Sequence, residues 1–368
     1  MKFTISREAF LKPLQLVVSV VERRQTLPVL SNVLIQLDGN QLSLTGTDLE
    51  VEIVGHAQLE NPGESGEITV PARKLMDICK SLPDKADINF TEDGGRILIT
   101  SGRSRFTLST LPASEFPTVE EGAGQVEFSL AGETLKKLLE DTAFAMAQQD
   151  VRYYLNGMLW EATAGMLRAV ATDGHRLAMS HTEMPFNPPE KIQAIVPRKG
   201  VMELSRILQD DDTVGVVIGA NHVRVQGADF RFTSKLIDGA YPDYERVLPR
   251  GGTKFINGNR EALRYAFART AILSNEKYRG VRLWIDGNLL KITANNPEQE
   301  EAEEEVVVDF EGDGSLEIGF NVNYLLDALN ALKGEHARIS LSDANSSALM
   351  ESPDINPSAL YVIMPMRL

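Results

Sequence analysis

The chain carries one succession of short motifs three times, at a spacing of about 125 residues. Thr45-Gly46-Thr47-Asp48 follows an apolar run in the first third, Ala171-Thr172-Asp173-Gly174 does so in the second, and Ile292-Thr293-Ala294-Asn295 in the third. Val70-Pro71-Ala72-Arg73-Lys74 returns in the same way as Val196-Pro197-Arg198-Lys199. A solenoid repeat spans about 20 to 50 residues, so a unit of this length is large enough to enclose its own core. The sequence therefore predicts three related domains.

Two helical patterns occupy matching places in each third. Their apolar positions fall at i, i+3, i+4 and i+7, which is one face of an α-helix. Pro13 is the poor fit, because a proline beyond the first turn weakens its helix. The six predicted faces are Phe10, Pro13, Leu14 and Val17; Leu75, Ile78, Cys79 and Leu82; Leu135, Leu138, Leu139 and Thr142; Val201, Leu204, Ser205 and Leu208; Leu263, Ala266, Phe267 and Thr270; and Leu325, Ala328, Leu329 and Leu332.

Short apolar runs lie between the helices. Val33 to Leu37, Arg96 to Ile99 and Val214 to Ile218 are of this kind, and Asp-Gly pairs such as Asp38-Gly39 break the runs. Alternation of apolar and polar residues, with tight turns between the runs, predicts antiparallel strands. We therefore predict an α+β fold of three similar domains, each with two helices packed on antiparallel sheets. The predicted domains cover residues 1–122, 126–250 and 253–368.

Charge is distributed unevenly along the chain. The net charge of −15 argues at first against a nucleic-acid partner, because phosphates repel an acidic surface. However, the helical windows hold 20 Lys and Arg against 11 Asp and Glu, while the rest of the chain holds 17 against 41. Lys and Arg are good helix formers, but Glu is equally good and has not collected there. The pattern favours a basic helical surface on an acidic body. The windows are residues 7–24, 71–82, 132–152, 198–208, 260–282 and 323–333.

Composition also bears on location and redox chemistry. No apolar run approaches the roughly 18 residues that cross a bilayer, and the first residues lack the apolar core of a secretion signal. We therefore expect a cytoplasmic protein without a membrane partner. Cys79 is the only cysteine, which excludes an intramolecular disulfide, and its place on an apolar helical face predicts a buried structural thiol.

Helix packing limits what three such domains can enclose. Three domains present six helices in a row, and a circle of six helices about 10 Å apart leaves almost no bore. Twelve helices leave a hole of about 25 Å, which admits a duplex about 20 Å across. Two chains joined head to tail through a heterologous interface would form such a ring.

Five strings of residues resemble the bacterial DNA polymerase III beta subunit family, the sliding clamps, and the match runs from Met1 to Leu368. The resemblance implies that each chain forms half of a closed homodimeric ring, which encircles duplex DNA and tethers the replicative polymerase as a processivity factor. It implies no enzymatic activity, no cofactor and no metal. The strings are Leu44-Thr45-Gly46-Thr47-Asp48-Leu49-Glu50, Gln149-Asp150-Val151-Arg152-Tyr153-Tyr154-Leu155-Asn156-Gly157, Ala171-Thr172-Asp173-Gly174-His175-Arg176-Leu177, Ala294-Asn295-Asn296-Pro297-Glu298 and Met364-Pro365-Met366-Arg367-Leu368.

The family also implies partners and sites. The partners are double-stranded and primed DNA without sequence preference, the DNA polymerase III alpha subunit, the clamp loader, and other polymerases and repair proteins. Contacts of this kind go to phosphates, and paired tyrosines could stack on a base at a single-stranded junction. The family places the positions of Arg24, Gln149, Tyr153 and Tyr154 on the DNA path, and Arg73, Arg152 and Lys199 are further basic candidates for facing DNA.

A groove for short partner peptides is implied between the second and third domains. The apolar C-terminus supports it independently, because chain ends usually fray and this one is rich in methionine, which repacks around different partners. Tyr278 and Asn345 stand where an aromatic and an apolar residue are expected, so the floor differs in detail. The implied groove residues are Leu155, Thr172, Gly174, His175, Arg176, Leu177, Pro242, Arg246, Val247, Asn321, Tyr324, Val362, Met364, Pro365, Met366, Arg367 and Leu368.

A subunit contact between the first and third domains is implied as well. Phe106 and Leu108 against Ile272 and Leu273 would form its apolar centre. Charges around such a centre set orientation more than affinity. The charged candidates are Lys74, Arg96, Arg103 and Arg105 on one side, and Glu298, Glu300, Glu301, Glu303 and Glu304 on the other.

An enzymatic alternative rests on two adjacent motif residues. In it, His175 acts as a base oriented by Asp173 in a hydrolase or transferase. The sequence offers no nucleophile motif, metal-ligand spacing or glycine-rich phosphate loop to accompany them. The binding function is therefore favoured.

Overall fold

The computed structural model describes residues 1–22, 27–119, 122, 124–184, 188, 190–210, 212–354 and 359–367. Within them the chain forms the helices α1 (Arg7–Val18), α2 (Ala72–Ser81), α3 (Gly132–Thr142), α4 (Arg198–Ile207), α5 (Arg260–Ala271) and α6 (Val322–Ala331).

The strands follow one another between these helices. The first third has β1 (Lys2–Ser6), β2 (Asn32–Asp38), β3 (Gln41–Thr47), β4 (Val51–Gln58), β5 (Gly66–Pro71), β6 (Asp87–Asp93), β7 (Arg96–Ser101) and β8 (Ser104–Ser109). The second has β9 (Gly124–Ala131), β10 (Gly157–Thr163), β11 (Met166–Thr172), β12 (Arg176–Glu183), β13 (Ile192–Pro197), β14 (Thr213–Gly219), β15 (His222–Gln226) and β16 (Phe230–Lys235). The last has β17 (Lys254–Asn259), β18 (Gly280–Asp286), β19 (Leu289–Asn295), β20 (Glu301–Val307), β21 (Asp309–Glu311), β22 (Leu316–Asn321), β23 (His336–Leu341), β24 (Ala348–Glu351) and β25 (Ala359–Ile363).

Each third has the same order of elements. The order is a strand, a helix and three strands, followed by the same five elements once more. The last third has the short β21 in addition. The predicted α+β fold of three similar domains is confirmed. All strand pairs within and between the thirds are antiparallel among the described residues.

The six predicted helical faces are confirmed by burial. Their members are buried except Ile78 and Ser205, which are half-buried. Pro13 does not break its helix: α1 runs through it, and the proline is buried on the inner face. Cys79 is buried too, and burial raises the pKa of its thiol to about 12, as expected of a structural cysteine.

The predicted helical windows were too long at several ends. Residues 143–152 and 272–279 lie outside the helices, and Arg23 and Arg24 lie outside the described residues. Within the helices as they stand, Lys and Arg number 13 against 8 Asp and Glu, so the basic surplus is smaller than the windows suggested. The windows overran because apolar residues continue past the helix ends, as in Ala145 and Met146 after α3, which are buried without being helical.

The chain divides into two compact units that cut across the central third. Residues 1–136 and 199–237 form the first unit. It contains a four-stranded sheet, ordered β1-β6-β7-β8, and an eight-stranded sheet, ordered β5-β2-β3-β4-β16-β15-β14-β9. Within it, α1 packs on α2 and on β3 and β4.

Residues 137–198 and 238–368 form the second unit. Its sheets are a nine-stranded one, ordered β13-β10-β11-β12-β25-β24-β23-β17-β21, and a four-stranded one, ordered β20-β19-β18-β22. Here α5 packs on α6 and on β19 and β20. The large sheet in each unit is shared by two successive thirds of the chain.

Two glycines let α1 approach its sheet closely. A Cβ placed on Gly46 of β3 would lie 2.3 Å from the Val17 carbonyl oxygen, and one on Gly55 of β4 would lie 2.8 Å from the Pro13 Cβ. Both contacts are far shorter than van der Waals distance, and the first involves backbone that cannot move aside. Gly46 therefore sets the distance between α1 and β3.

Gly46→Ala is expected to destabilise the first unit by about 3 kcal/mol, because the added methyl group overpacks the contact between α1 and β3. Thermal unfolding of the purified protein measures the effect. Gly215→Ala is the matched control, since Gly215 lies in β14 of the same sheet and a Cβ there has no atom within 4 Å. Equal melting temperatures for the two variants would contradict the packing argument.

Candidate functional site

A side-chain-capped turn joins β11 to β12. The Thr172 hydroxyl donates to the Arg176 carbonyl at 2.6 Å and accepts from the Gly174 N–H at 3.1 Å. One Asp173 carboxylate oxygen accepts from the N–H groups of His175 and Arg176 at 2.9 and 3.0 Å. Gly174 has a φ of +89°, which glycine adopts without strain. The motif therefore builds a turn from its own side chains.

The first third builds the same turn from Thr47 and Asp48. Thr47 Oγ1 donates to the Val51 carbonyl at 2.9 Å and accepts from the Leu49 N–H at 3.1 Å, and Asp48 caps the N–H of Val51 at 2.7 Å. Leu49 occupies the place of Gly174 and keeps a positive φ of +78°. The repeated motif is thus a structural device that both copies share.

Asp173 and His175 do not form a catalytic pair in this turn. Asp173 accepts hydrogen bonds from the turn backbone and, through its other oxygen, from the Arg176 Nε at 3.1 Å. The imidazole of the exposed His175 has no hydrogen-bond partner among the described residues. The hydrolase or transferase alternative is therefore not favoured. Within the described part of the chain, no group of three His, Cys, Asp or Glu side chains is arranged to hold a metal ion.

A mostly apolar cavity of about 160 Å³ lies beside the turn. Ten of the predicted groove residues line it, from both the second and the last third of the chain. Four further residues line it that the sequence interpretation did not assign to the groove. The predicted ten are Leu155, Thr172, Gly174, His175, Arg176, Leu177, Pro242, Val247, Val362 and Met364, and the additional four are Arg152, Asp243, Tyr244 and Ser347.

Arg152 faces this groove. Its guanidinium group makes paired hydrogen bonds to Asp150 at 3.0 and 2.9 Å, which lower the pKa of the Asp150 carboxyl to about 2. It also donates to the Asp173 carbonyl, and it would lie 3.0 Å from a Cβ on Gly174. The absence of a side chain at Gly174 therefore makes room for Arg152 at the rim of the groove.

Arg176 links the turn to α6. It donates to Asp327 at 2.5 Å and to the Phe144 carbonyl at 2.8 Å, and its guanidinium group stacks on the Tyr324 ring at 4.5 Å. With its Nε bound to Asp173, every nitrogen of the group has a partner. Tyr324 thus lies outside the cavity lining and is connected to it through Arg176.

The C-terminal tail crosses from the groove to the edge of another sheet. The Met364 N–H donates to the His175 carbonyl at 2.9 Å, and the Met366 N–H donates to the Gly319 carbonyl at 2.8 Å. Met366 and Arg367 line a second hollow of about 520 Å³ together with Tyr278. The tail therefore borders both hollows, and Leu368 lies outside the described residues.

Three other predicted groove residues do not line this cavity. Asn321 caps α6 by accepting from the Asn323 N–H at 2.9 Å. Arg246 is exposed and paired with Asp243 at 2.7 Å, and Pro365 is half-buried in the tail.

The DNA-facing candidates differ in how free their side chains are. Arg73 is exposed and donates to the Val21 carbonyl at 3.2 Å. Lys199 is bound by the carboxylates of Asp48 and Glu22. Burial lowers the pKa of Lys199, but these two carboxylates raise it more, so the ammonium group stays charged.

Gln149, Tyr153 and Tyr154 lie together after α3. Gln149 is exposed with a φ of +56°, and the ring of the exposed Tyr153 meets the edge of the half-buried Tyr154 at 5.8 Å. Arg24 lies outside the described residues.

The predicted subunit-contact residues lie on or beside two small sheets, and most of them are exposed. β8 is an edge strand of the first four-stranded sheet; it contains Arg105, Phe106 and Leu108, and Arg103 directly precedes it. β20 is an edge strand of the other four-stranded sheet. Ile272 is 74% exposed although it is apolar, and Leu273 beside it is half-buried. Three of the acidic residues already have partners: Glu304 binds Arg269 at 2.6 Å, Glu303 binds Lys291 at 2.8 Å, and Glu300 accepts from the Asn296 amide at 2.7 Å.

Comparison with known proteins gives a consistent match. Models for the N-terminal, central and C-terminal domains of the DNA polymerase III beta subunit match residues 1–120, 129–243 and 245–367. The chain is 63% identical to the beta sliding clamp of Pseudomonas aeruginosa and 54% identical to that of Escherichia coli K12, with all of both chains covered.

Solved structures agree with these matches. The crystal structure of the Pseudomonas aeruginosa sliding clamp bound to griselimycin has a TM-score of 0.97 at 63% identity, and that of the Bartonella birtlesii clamp, also bound to griselimycin, has 0.95 at 39%. Each covers both chains completely. None of the described helices has the length and apolar character that crossing a membrane requires.

Arg176→Lys is expected to lower the free energy of unfolding by about 2 kcal/mol, because a lysine cannot replace the forked hydrogen bonds or the stacking on Tyr324. Urea denaturation measures the change. Arg246→Lys serves as the control, since the exposed pair with Asp243 contributes less than about 1 kcal/mol. The assignment of Arg176 as a link fails if both variants are as stable as the wild type.

Proposed function

The chain belongs to the DNA polymerase III beta subunit family, and we propose that two copies of it close head to tail into a ring around duplex DNA. It is a DNA sliding clamp, a non-catalytic processivity factor of DNA replication. DNA and a DNA polymerase are therefore its partners. The ring, the subunit contact and the individual binding residues are the parts that we propose.

Strand pairing between successive thirds carries the proposal of a ring. β4 pairs with β16, and β12 pairs with β25. In both cases the fourth strand of one third joins the last strand of the next third. The remaining fourth strand is β20 and the remaining last strand is β8, and both are sheet edges. By the same rule, β20 of one copy pairs with β8 of a second copy, and the same contact on the other side closes the ring.

The internal junctions also give the register on the β20 side. Glu52 in β4 lies opposite Thr233, and Leu177 in β12 lies opposite Val362. On their other side, Glu52 and Leu177 each pair with the last residue of the preceding strand, β3 or β11. Glu301 of β20 pairs in the same way with Asn295, the last residue of β19. Glu301 therefore holds the equivalent position at the proposed contact.

The register on the β8 side follows in the same way. Phe106 lies opposite Ile99 as Phe232 lies opposite Val225, so Thr107 corresponds to the residue after Phe232. Glu301 of one copy then faces Thr107 of the other. Because the two strands are antiparallel, the residue two positions after Glu301 lies opposite the residue two positions before Thr107, so Glu303 faces Arg105.

Charge and exposed apolar surface favour the same contact. Lys74, Arg96, Arg103 and Arg105 are exposed and form no ion pair within the described residues. They would face the acidic run from Glu298 to Glu305. Burial of the exposed Ile272, with Leu273, against Phe106 and Leu108 would supply the apolar centre.

Weak contacts to phosphates suit a clamp that must slide. We propose Arg24, Arg73, Gln149, Arg152, Tyr153, Tyr154 and Lys199 as DNA-facing residues, with no reading of base sequence. The tyrosine pair is suited to stacking on an unpaired base at a primed junction. Since Arg152 lines the groove and Lys199 is paired with carboxylates, we expect each of them to contribute less than Arg73.

We further propose that the groove binds short extended peptides with apolar anchors. Its lining is mostly apolar, and Met364 of the tail can repack around different side chains. The proposed occupants are the DNA polymerase III alpha subunit, the clamp loader, and other polymerases and repair proteins. Griselimycin is bound in two relatives' structures, and we propose this groove as its site in the present chain. The proposed domains are residues 1–122, 126–250 and 253–368. We propose that the protein acts in the cytoplasm.

Encirclement is tested by loading the protein onto nicked circular DNA with a clamp loader and ATP. Linearising the DNA is expected to release the protein, because a ring held by topology slides off an open end. Gel filtration before and after cutting measures the retained fraction. Retention on linear DNA with free ends would contradict a topological hold.

The proposed register is tested by Thr107→Cys combined with Glu301→Cys. Directly opposite Cβ atoms lie about 5 Å apart, so oxidation is expected to join two copies into a covalent dimer on a denaturing gel. The wild-type Cys79 is buried and gives a low background. Thr107→Cys with Ala302→Cys is the matched control, because a shift by one residue points the side chain to the other face. Equal cross-linking of both pairs, or of neither, would contradict the register.

A further inference from the structure

A buried carboxylate lies behind one wall of the groove. Glu161 of β10 has a side chain only 1% exposed, and four donors surround it. One of its oxygens accepts from Arg168 at 3.0 Å and from the Tyr244 hydroxyl at 2.8 Å. The other accepts from Lys191 at 2.6 Å and from Gln193 at 2.8 Å. A buried charge is tolerated only when it is paired in this way, so the cluster has one favoured arrangement.

Tyr244 connects this cluster to the groove. It begins the short turn Tyr244–Arg246 and is the buried residue of that turn. Its carbonyl accepts from the Val247 N–H at 3.1 Å, and both residues line the cavity together with Pro242. The exposed Pro242 and Val247 have little packing of their own. The position of the buried Tyr244 therefore decides where this wall lies.

The protonation states fit a donating phenol and an accepting carboxylate. Burial and the neighbouring Glu161 raise the pKa of Tyr244 to about 12, so the hydroxyl stays protonated at neutral pH. Burial alone would raise the pKa of Glu161, but the hydrogen bonds from Lys191, Gln193 and Tyr244 outweigh it and lower the pKa. The interaction is thus a charge-assisted hydrogen bond, which is stronger than a neutral one.

We propose that Glu161 is a positioning residue of the partner-peptide groove, which it keeps open by holding the wall from Pro242 to Val247 through the hydroxyl of Tyr244. The proposal rests on the proposed function of this groove. Glu161 itself does not line the cavity, so it acts on a bound peptide only through the wall. A wall fixed before binding reduces the ordering that a peptide must impose, which increases affinity.

Tyr244→Phe tests the proposal, because it keeps the buried ring and removes only the hydroxyl. Griselimycin serves as the probe, with affinity measured by isothermal titration calorimetry on the full chain. The variant loses the hydrogen bond that the hydroxyl donates to Glu161 and the one that it accepts from Arg168, which is expected to weaken binding about tenfold. Binding by Tyr244→Phe as tight as by the wild type would falsify the positioning role.

Two further variants separate positioning from general stability. Glu161→Gln keeps an oxygen that can accept from Tyr244, so it is expected to retain most of the affinity. Gln193→Leu removes a hydrogen bond to the other oxygen of the same carboxylate, which Tyr244 does not bind. It is expected to lower the melting temperature and leave griselimycin affinity unchanged. A loss of affinity in Gln193→Leu that equals the loss in Tyr244→Phe would overturn the proposal in favour of a purely structural cluster.

Deletion of residues 364–368 tests the groove itself and is expected to abolish griselimycin binding. If the deletion abolishes binding while Tyr244→Phe binds normally, the groove stands and the role of Glu161 is refuted. If neither change affects binding, the groove assignment fails and the positioning role fails with it.

Discussion

Strand pairing across the boundaries between thirds of the chain is the constraint on which the rest of the structure depends. β4 with β16 and β12 with β25 each join two thirds into one sheet, of eight strands in the first unit and nine in the second. This pairing explains why the compact units do not coincide with the sequence repeats, since the central third gives strands to both sheets. It also satisfies the backbone groups of these strands and removes edges that would otherwise promote aggregation.

The groove depends directly on the second of these pairings. Val362 reaches the cavity because β25 lies beside β12, where Leu177 faces it in register. The first pairing builds the same frame, including the bond from the Lys235 N–H to the Glu50 carbonyl that corresponds to the bond from Met364 to His175. The difference lies in the side chains. Leu49 stands in the turn where the second third has Gly174, so the space that Arg152 occupies beside Gly174 has no counterpart there.

Those parts of the fold that depend on local pattern could be predicted from the sequence. The faces of α1 to α6 follow from spacing, and even Pro13 is accommodated because it packs against Gly55. The ends of the helices could not be predicted, since residues 143–152 carry no local stop signal and are fixed by tertiary hydrogen bonds such as that from Arg176 to the Phe144 carbonyl. The direction of the Arg152 side chain depends on its ion pair with Asp150 and on the space beside Gly174. Both form only when the chain folds.

Glu161 shows why part of the site escapes sequence reasoning. A glutamate in a strand gives no periodic signal, and its four donors come from β11, from β13 and its approach, and from the turn at Tyr244. The lining of the groove is apolar and adaptable, whereas Arg176 and Glu161 behind it are held by charged hydrogen bonds with defined geometry. Apolar contacts are tolerant of partner sequence, and charged networks are intolerant of displacement. A groove that must accept several peptides in one fixed place therefore needs both kinds of interaction, with the charged kind kept away from the peptide.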